Sequence, residues 1–196
     1  HLPIMLVENP EKVLVVCFGT GQTTGAATLH PKVKSVDSVD LSESVLKAGN
    51  VFSSHNYNVL KSEKVSIILQ DGRNHLLTTQ KMYDVITSEP PPPRTAFTVN
   101  LYSKEYYELA QKHLNPGGIM TQWIPLHSQG KQEVLMHFKT FLSVFPHAIA
   151  WMPVANELLI IGSNSKIDID FEKLKGRFLD PNVSLAMQEI QIPDAY

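Results

Sequence analysis

The sequence predicts an α/β protein organised on a doubly wound, mostly parallel seven-stranded sheet whose final strand is antiparallel. Three observations predict it. Residues 12–27, KVLVVCFGTGQTTGAA, pass from an apolar run through a glycine turn into a small-residue helix start. Counting that first run, five short apolar runs alternate with helical patterns, as strands do when each parallel crossover is a helix. Two further apolar runs, 148–152 and 157–161, follow the last long amphipathic helix with only a hairpin-like link between them, so one of them returns antiparallel.

Each element follows from its residues. Residues 2–7 are apolar and lead into the turn Glu8-Asn9-Pro10. The continuous Val-Leu-Val-Val run at 13–16 suits a strand buried on both faces. In Gly19-Thr20-Gly21 the glycines let the backbone turn sharply and lie close to a ligand. The helix start that follows offers unpaired N–H groups to a polar or anionic group. That helix runs to about residue 29 and stops before His30-Pro31, because a residue preceding proline disfavours helix. Residues 33–41 form a second strand with Asp40 near its carboxyl end, and 42–52 a helix opened by Ser42.

A third strand at 65–69 ends in Gln70-Asp71-Gly72-Arg73, with a short helix over 74–79. The fourth, 83–87, ends in Ser88-Glu89 and then Pro90 to Pro93, which dictate a stiff extended loop. A helix over 104–113 is stopped by Asn115-Pro116-Gly117-Gly118, and 119–124 is the fifth strand. Residues 129–145 repeat Val134, Leu135, Phe138, Phe141, Leu142 and Phe145 at helical spacing. Helical character returns at 171–178 and 184–189.

The 196 residues carry 43% hydrophobic and 18% charged residues, enough for one sizeable core and too apolar for disorder. We expect a nucleotide-binding catalytic domain over 1–165 and a helical tail over 166–196. A formal charge of −2, without Lys/Arg clusters, argues against nucleic acid as partner. The single cysteine, Cys17, excludes an internal disulfide framework and a thiolate metal cluster, and it reads as a small buried residue at a strand end. No apolar run approaches the ~20 residues that span a bilayer, and no signal peptide is visible, so a cytoplasmic location is expected. The sequence opens on His1-Leu2-Pro3 rather than Met, as a fragment would.

In open α/β sheets ligands bind beyond the carboxyl ends of the strands. Successive strand ends here carry Gly19 and Gly21, Asp40 with Leu41, Asp71 with Gly72, and Glu89. Asp40 follows the glycine turn at about the ~20-residue distance of a carboxylate that accepts from ribose hydroxyls. Asp71 suits an adenine amine, and Glu89 faces the centre of the crevice. Singly, each is equally a helix cap, a turn former or a solvated acid; jointly they point to an adenosine-type nucleotide. Asp37, three residues from Asp40, falls on the opposite face and reads as solvated or locally paired. The histidines lack metal-ligand spacing and read as surface or boundary residues; no metal is expected. Five strands plus a closing antiparallel pair is the pattern of the S-adenosylmethionine-dependent methyltransferase type.

The motifs also resemble the spermidine synthase (polyamine aminopropyltransferase) family, from HLPIMLVENPEKVLVV through VDSVDLSESVL, QDGRNHL and YDVITSEP to LYSKEYYELAQKHLNPGGIMTQ. The resemblance implies transfer of an aminopropyl group from decarboxylated S-adenosylmethionine to a polyamine such as putrescine. Asp40 then binds the ribose, Asp71 the adenine, and Glu89 takes the place of the family's catalytic Asp, one methylene longer. Tyr102 and Gln122 become substrate-pocket candidates, although packing explains them equally well.

Two departures stand out. The family's Gly-Gly-Gly-Asp-Gly-Gly loop reads Cys17-Phe18-Gly19-Thr20-Gly21-Gln22, with Thr20 in place of the Asp that selects the decarboxylated donor. Its Asp-Ser-Ser-Asp-Pro loop reads Glu89-Pro90-Pro91-Pro92-Pro93, so Pro92 replaces an acid that helps bind the diamine. The family's amino-terminal β-domain, which contributes to its common homodimer pairing, is absent from this chain; the resemblance still implies a homodimer as a partner. Glu-Pro after the fourth strand, Gln122-Trp123 and KIDIDFEKLKGRFLDP resemble a bacterial subgroup whose synthase-like domain follows a transporter-like membrane portion. Methyl or other alkyl transfer from intact S-adenosylmethionine, and binding without turnover, remain the alternatives.

Overall fold

The computed structural model describes residues 1–192; the last four residues of the expected tail, 193–196, lie outside them. The chain runs α1 (Leu2–Leu6), β1 (Lys12–Val16), α2 (Gln22–Thr28), β2 (Ser35–Asp40), α3 (Glu43–Ala48), β3 (Val65–Leu69), α4 (Gly72–Thr78) and β4 (Tyr83–Ser88). It continues through α5 (Lys104–Lys112), β5 (Leu114–Pro125), α6 (Lys131–Leu142), β6 (His147–Val154), β7 (Glu157–Ser163), α7 (Phe171–Phe178) and α8 (Pro181–Glu189). One sheet has the order β3-β2-β1-β4-β5-β7-β6. Pairs among β1 to β5 are parallel, and β7 runs antiparallel to both β5 and β6. The direction of winding reverses between β1 and β4, and a crevice opens at such a switch point.

Alternation along the strands assigns each side chain to a layer. Leu14, Ile86 and Met120 pack with Leu76, Tyr106, Tyr107 and Phe141 on the α4–α5–α6 side. Val13, Val15, Val36, Val85 and Ile119 pack with Ile4 and Ala27 on the other. Met5 joins Leu174, Val183 and Met187, and Arg177 donates to the carbonyls of Ile4 and Met5, so α7 and α8 lie against α1.

The structure departs from the sequence reading in several places. Residues 2–6 form a helix with proline in its first turn, a single turn too short to show a period. The helix expected over 42–52 ends at Ala48. There Asn56 donates to the carbonyls of Gly49 and Thr20, folding the following segment back as irregular turns towards a short 3-10 helix, Val59–Lys61. The fifth strand runs back through the Asn-Pro-Gly-Gly segment. The helix expected over 129–145 is confined to Lys131–Leu142, its first turn closed by the Glu133 carboxylate accepting from the Gly130 N–H. Three histidines, His30, His75 and His137, are buried rather than at the surface.

Asp37 is the largest correction. It lies on the face opposite Asp40, as the spacing requires, but it is 4% exposed and paired across the fold. It accepts from the Tyr83 hydroxyl (2.8 Å) and from Lys81 Nζ (2.8 and 2.9 Å), and Tyr83 also meets His75 Nε2 (3.1 Å). Desolvation, with Asp37 behind it, pushes the Tyr83 phenol well above its usual range, and burial pulls His75 down. Asp37→Ala leaves the buried phenol without its anionic acceptor. We expect a loss of about 1–3 kcal/mol in urea unfolding. Lys81 is 60% exposed, so its half of the network adds little.

Candidate functional site

The β1–α2 connection is built for close approach. Cys17, Gly19 and Gly21 all have positive φ (73°, 56° and 83°). At Gly21 a Cβ would stand 2.6 Å from the Phe18 ring, whereas at Gly19 it would meet nothing within 4 Å, so that turn faces open space. Cys17 is half-buried and its thiol is pushed up to about 12, chiefly by desolvation and then by Asp40, which makes it an inert residue. Thr20 is half-buried, its hydroxyl donating to Gln22 Oε1 (3.3 Å).

Asp40 ends β2 with both carboxylate oxygens held by backbone. Oδ2 accepts from the Phe18 N–H (2.9 Å) and Oδ1 from the Ser42 N–H (2.8 Å). This fixes the acid against the glycine turn while each oxygen keeps a second lone pair for a ligand hydroxyl. Asp71 caps α4, its Oδ1 accepting from the Asn74 N–H (2.9 Å). Gly72 is required there, since a Cβ would lie 2.4 Å from Val16 Cγ1. Leu41 (62% exposed) and Leu69 (56% exposed) stand uncovered at the ends of β2 and β3, beside these acids.

Glu89 follows β4 directly, its N–H donating to the Val16 carbonyl (3.2 Å). The Thr23 hydroxyl, in the first turn of α2, lies 3.1 Å from both carboxylate oxygens. The side chain is open to solvent, yet protein crowds it on several sides. Desolvation raises its pKa above the ordinary carboxylate value; Thr23 and the His1 amino group partly offset this.

Val85, Thr87 and Glu89 lie on one face of β4 and line a cavity of about 610 Å³, walled also by α1, α2 and the α7–α8 pair. On the opposite face Ser88 meets the Tyr106 hydroxyl (3.1 Å). Tyr102 is buried there, sharing its hydroxyl between the carbonyls of Pro90 and Pro91 (3.3 Å each) and packing on His137 at 5.1 Å. Gln122 pairs in register with Ser88 and is fully buried. Tyr102 and Gln122 therefore sit behind the proline loop, outside that cavity.

The spermine/spermidine synthase domain matches residues 1–173. The chain belongs to this family. Its curated relatives include polyamine aminopropyltransferases of Methanocaldococcus jannaschii, 36% identical over 62% of this chain and 41% of that protein, and of Korarchaeum cryptofilum, 29% identical over 91% and 57%. The chain thus spans about half the length of these two relatives. Among solved structures, a spermidine synthase in complex with the transition-state analogue AdoDATO superposes with a TM-score of 0.76 at 17% identity, over 98% of this chain and 73% of that one. Human methyltransferase-like protein 13 in complex with SAH gives 0.72 at 16%, over 95% and 89%. These structural matches support the methyltransferase-type fold expected from the strand pattern.

Within that family framework, the residue the sequence reading passed over is Thr23. Its hydroxyl orients Glu89 from 66 positions away in the chain. The only local signal is its place in the first turn after a glycine loop, which many threonines share. Among the described residues no helix is long and apolar enough to cross a membrane.

Proposed function

We propose that this chain transfers an aminopropyl group from decarboxylated S-adenosylmethionine to an amine. One observation carries the reading: Glu89 stands at the switch point with the nucleotide-type turn beside it and an open cavity in front, oriented by Thr23. Gly19 and Gly21 admit the donor, Asp40 accepts from its ribose hydroxyls, and Asp71 receives the adenine amine. Leu41 covers an apolar face of the nucleoside. Those groups fit an adenosine: one pre-fixed carboxylate, one half-used carboxylate, and exposed leucines between them.

The donor supplies a sulfonium whose neighbouring carbon is electrophilic. An aliphatic amine, with a pKa near ~10, is protonated at neutral pH and cannot attack. Glu89 holds that ammonium, accepts its proton and faces the positive sulfur. The amine lone pair forms the new C–N bond as the C–S bond breaks, and the thioether leaves with the electron pair. Desolvation makes Glu89 a stronger base than a free carboxylate.

Thr20 favours a second reading, alkyl transfer from the intact donor, because it places no charge against that donor's carboxylate. Calorimetric titration with intact and decarboxylated donor separates the two. We expect the decarboxylated form to bind more tightly; preference for the intact form sinks the aminopropyl reading. In Thr20→Asp the affinity ratio should shift about tenfold further towards the decarboxylated donor, the size of a partly screened like-charge contact.

A further inference from the structure

The cavity in front of Glu89 has a composition that specifies its occupant. Its volume, about 610 Å³, is in the range of a small-molecule site. Val13, Ala26, Val85, Leu159 and Phe178 are typical of its walls; among the described residues Glu89 is the only acid in the lining, and no lining side chain is Lys or Arg. Its other polar groups are hydroxyls (Thr23, Thr87, Tyr57), the Gln22 amide, the Trp151 indole, the imidazoles of His55 and His1, and the His1 amino group, whose pKa burial lowers. Glu189, which accepts from the Tyr57 hydroxyl (3.1 Å), lies outside the lining. Gly19, Asp40 and Asp71, the donor-side groups, do not line it either, so the chamber and the glycine turn meet near Glu89 and at Gln22 and Thr23, where the turn enters α2.

A single carboxylate in an apolar chamber recognises a single ammonium attached to an apolar body. A second ammonium on the same ligand would leave water for a hydrocarbon wall with no counter-charge, a burial that is costly unless paired. The residues that follow Glu89, Pro90 to Pro93, add no carboxylate beside it. We propose that the chamber binds an amine with an apolar body, an alkyl or arylalkyl monoamine, its ammonium on Glu89 and its hydrocarbon part between α1, α2 and the α7–α8 pair. The assignment rests on the proposed role of Glu89 towards the acceptor and narrows the acceptor to amines of this class.

The test uses binding alone, so it is independent of turnover. Calorimetry or ligand-observed NMR compares n-hexylamine, 1,6-diaminohexane and n-hexanol on the wild-type chain. Hexylamine should bind at least tenfold more tightly than either, and Glu89→Gln should abolish that advantage over hexanol. Phe171 lines the chamber at the start of α7 and is 64% exposed, so a carboxylate there is compatible with folding and suits a helix N-terminus. Phe171→Glu should bring the diamine to parity with the monoamine or beyond. Equal or tighter binding of the diamine by the wild type overturns the proposal, as does hexylamine binding indifferent to Glu89→Gln. Aminopropyl transfer to putrescine without hexylamine binding would reject the chamber assignment and leave the proposed activity standing. Hexylamine binding with no affinity for either donor would do the reverse.

Discussion

Glu89→Gln should lower turnover by about 10²–10⁴-fold, the usual contribution of a positioned general base, with donor affinity nearly unchanged. The substitution keeps the size of the side chain and one acceptor oxygen for Thr23, but removes the proton acceptor and the negative charge facing the sulfonium. Single-turnover kinetics with saturating donor measures the loss directly; a variant within threefold of wild type would transfer the base role elsewhere. The same substitution should raise stability. Desolvation lifts the Glu89 pKa in the folded state above its unfolded value of 4.5, so the folded state holds this proton more tightly. Its contribution to stability is present below the unfolded value and is lost as pH rises through the folded one. At neutral pH the ionised acid is therefore a burden on the fold that the amide lifts. A higher Tm together with lost turnover is the signature of a group placed for chemistry. In the wild type, kcat/KM should rise with pH through the elevated Glu89 value.

Asp40→Ala should weaken donor binding by about 10–100-fold, because hydrogen bonds to a charged acceptor contribute roughly 1.5–3 kcal/mol. It also strips the acceptors from the Phe18 and Ser42 N–H groups, which hold the glycine turn against the end of β2. The loss therefore has two parts, and calorimetry alongside thermal unfolding separates them. A donor lacking the ribose hydroxyls should bind wild type and variant alike if contact with those hydroxyls dominates. If its affinity falls equally in the variant, the acid acts by shaping the turn.

The positions of Asp40, Asp71 and Glu89 were legible because strand ends and glycine turns are local features. A buried β-branched run has one exit, and the residues just beyond it must lie at the carboxyl edge of the sheet. The closing antiparallel pair was legible for the same reason. The two-residue link Ala155-Asn156, with Asn156 at φ 67°, suits a tight hairpin and excludes a crossover helix. Asp37 was placed on the correct face but in the wrong environment. Its partners come from the loop and strand around residues 81–83, and no spacing within its own strand announces them.

Tyr102 was singled out through the family resemblance, and the structure sets it behind the proline loop. Thr23 was invisible, being one threonine in a polar helix start until β4 brings Glu89 to it. The apolar chamber was equally unreadable, because its walls come from segments at both ends of the chain that meet only when α7 and α8 close on α1.

Local chemistry in the chain thus settles the fold type, the glycine turn and the row of acids along the sheet edge, since backbone period and glycine freedom act over a few residues. Which acid faces a cavity, what orients it and how apolar that cavity is depend on contacts between residues 66 or more apart, such as Thr23 with Glu89 and Ile4 with Arg177. Such contacts are set by packing between layers, and a single sequence carries no local trace of them.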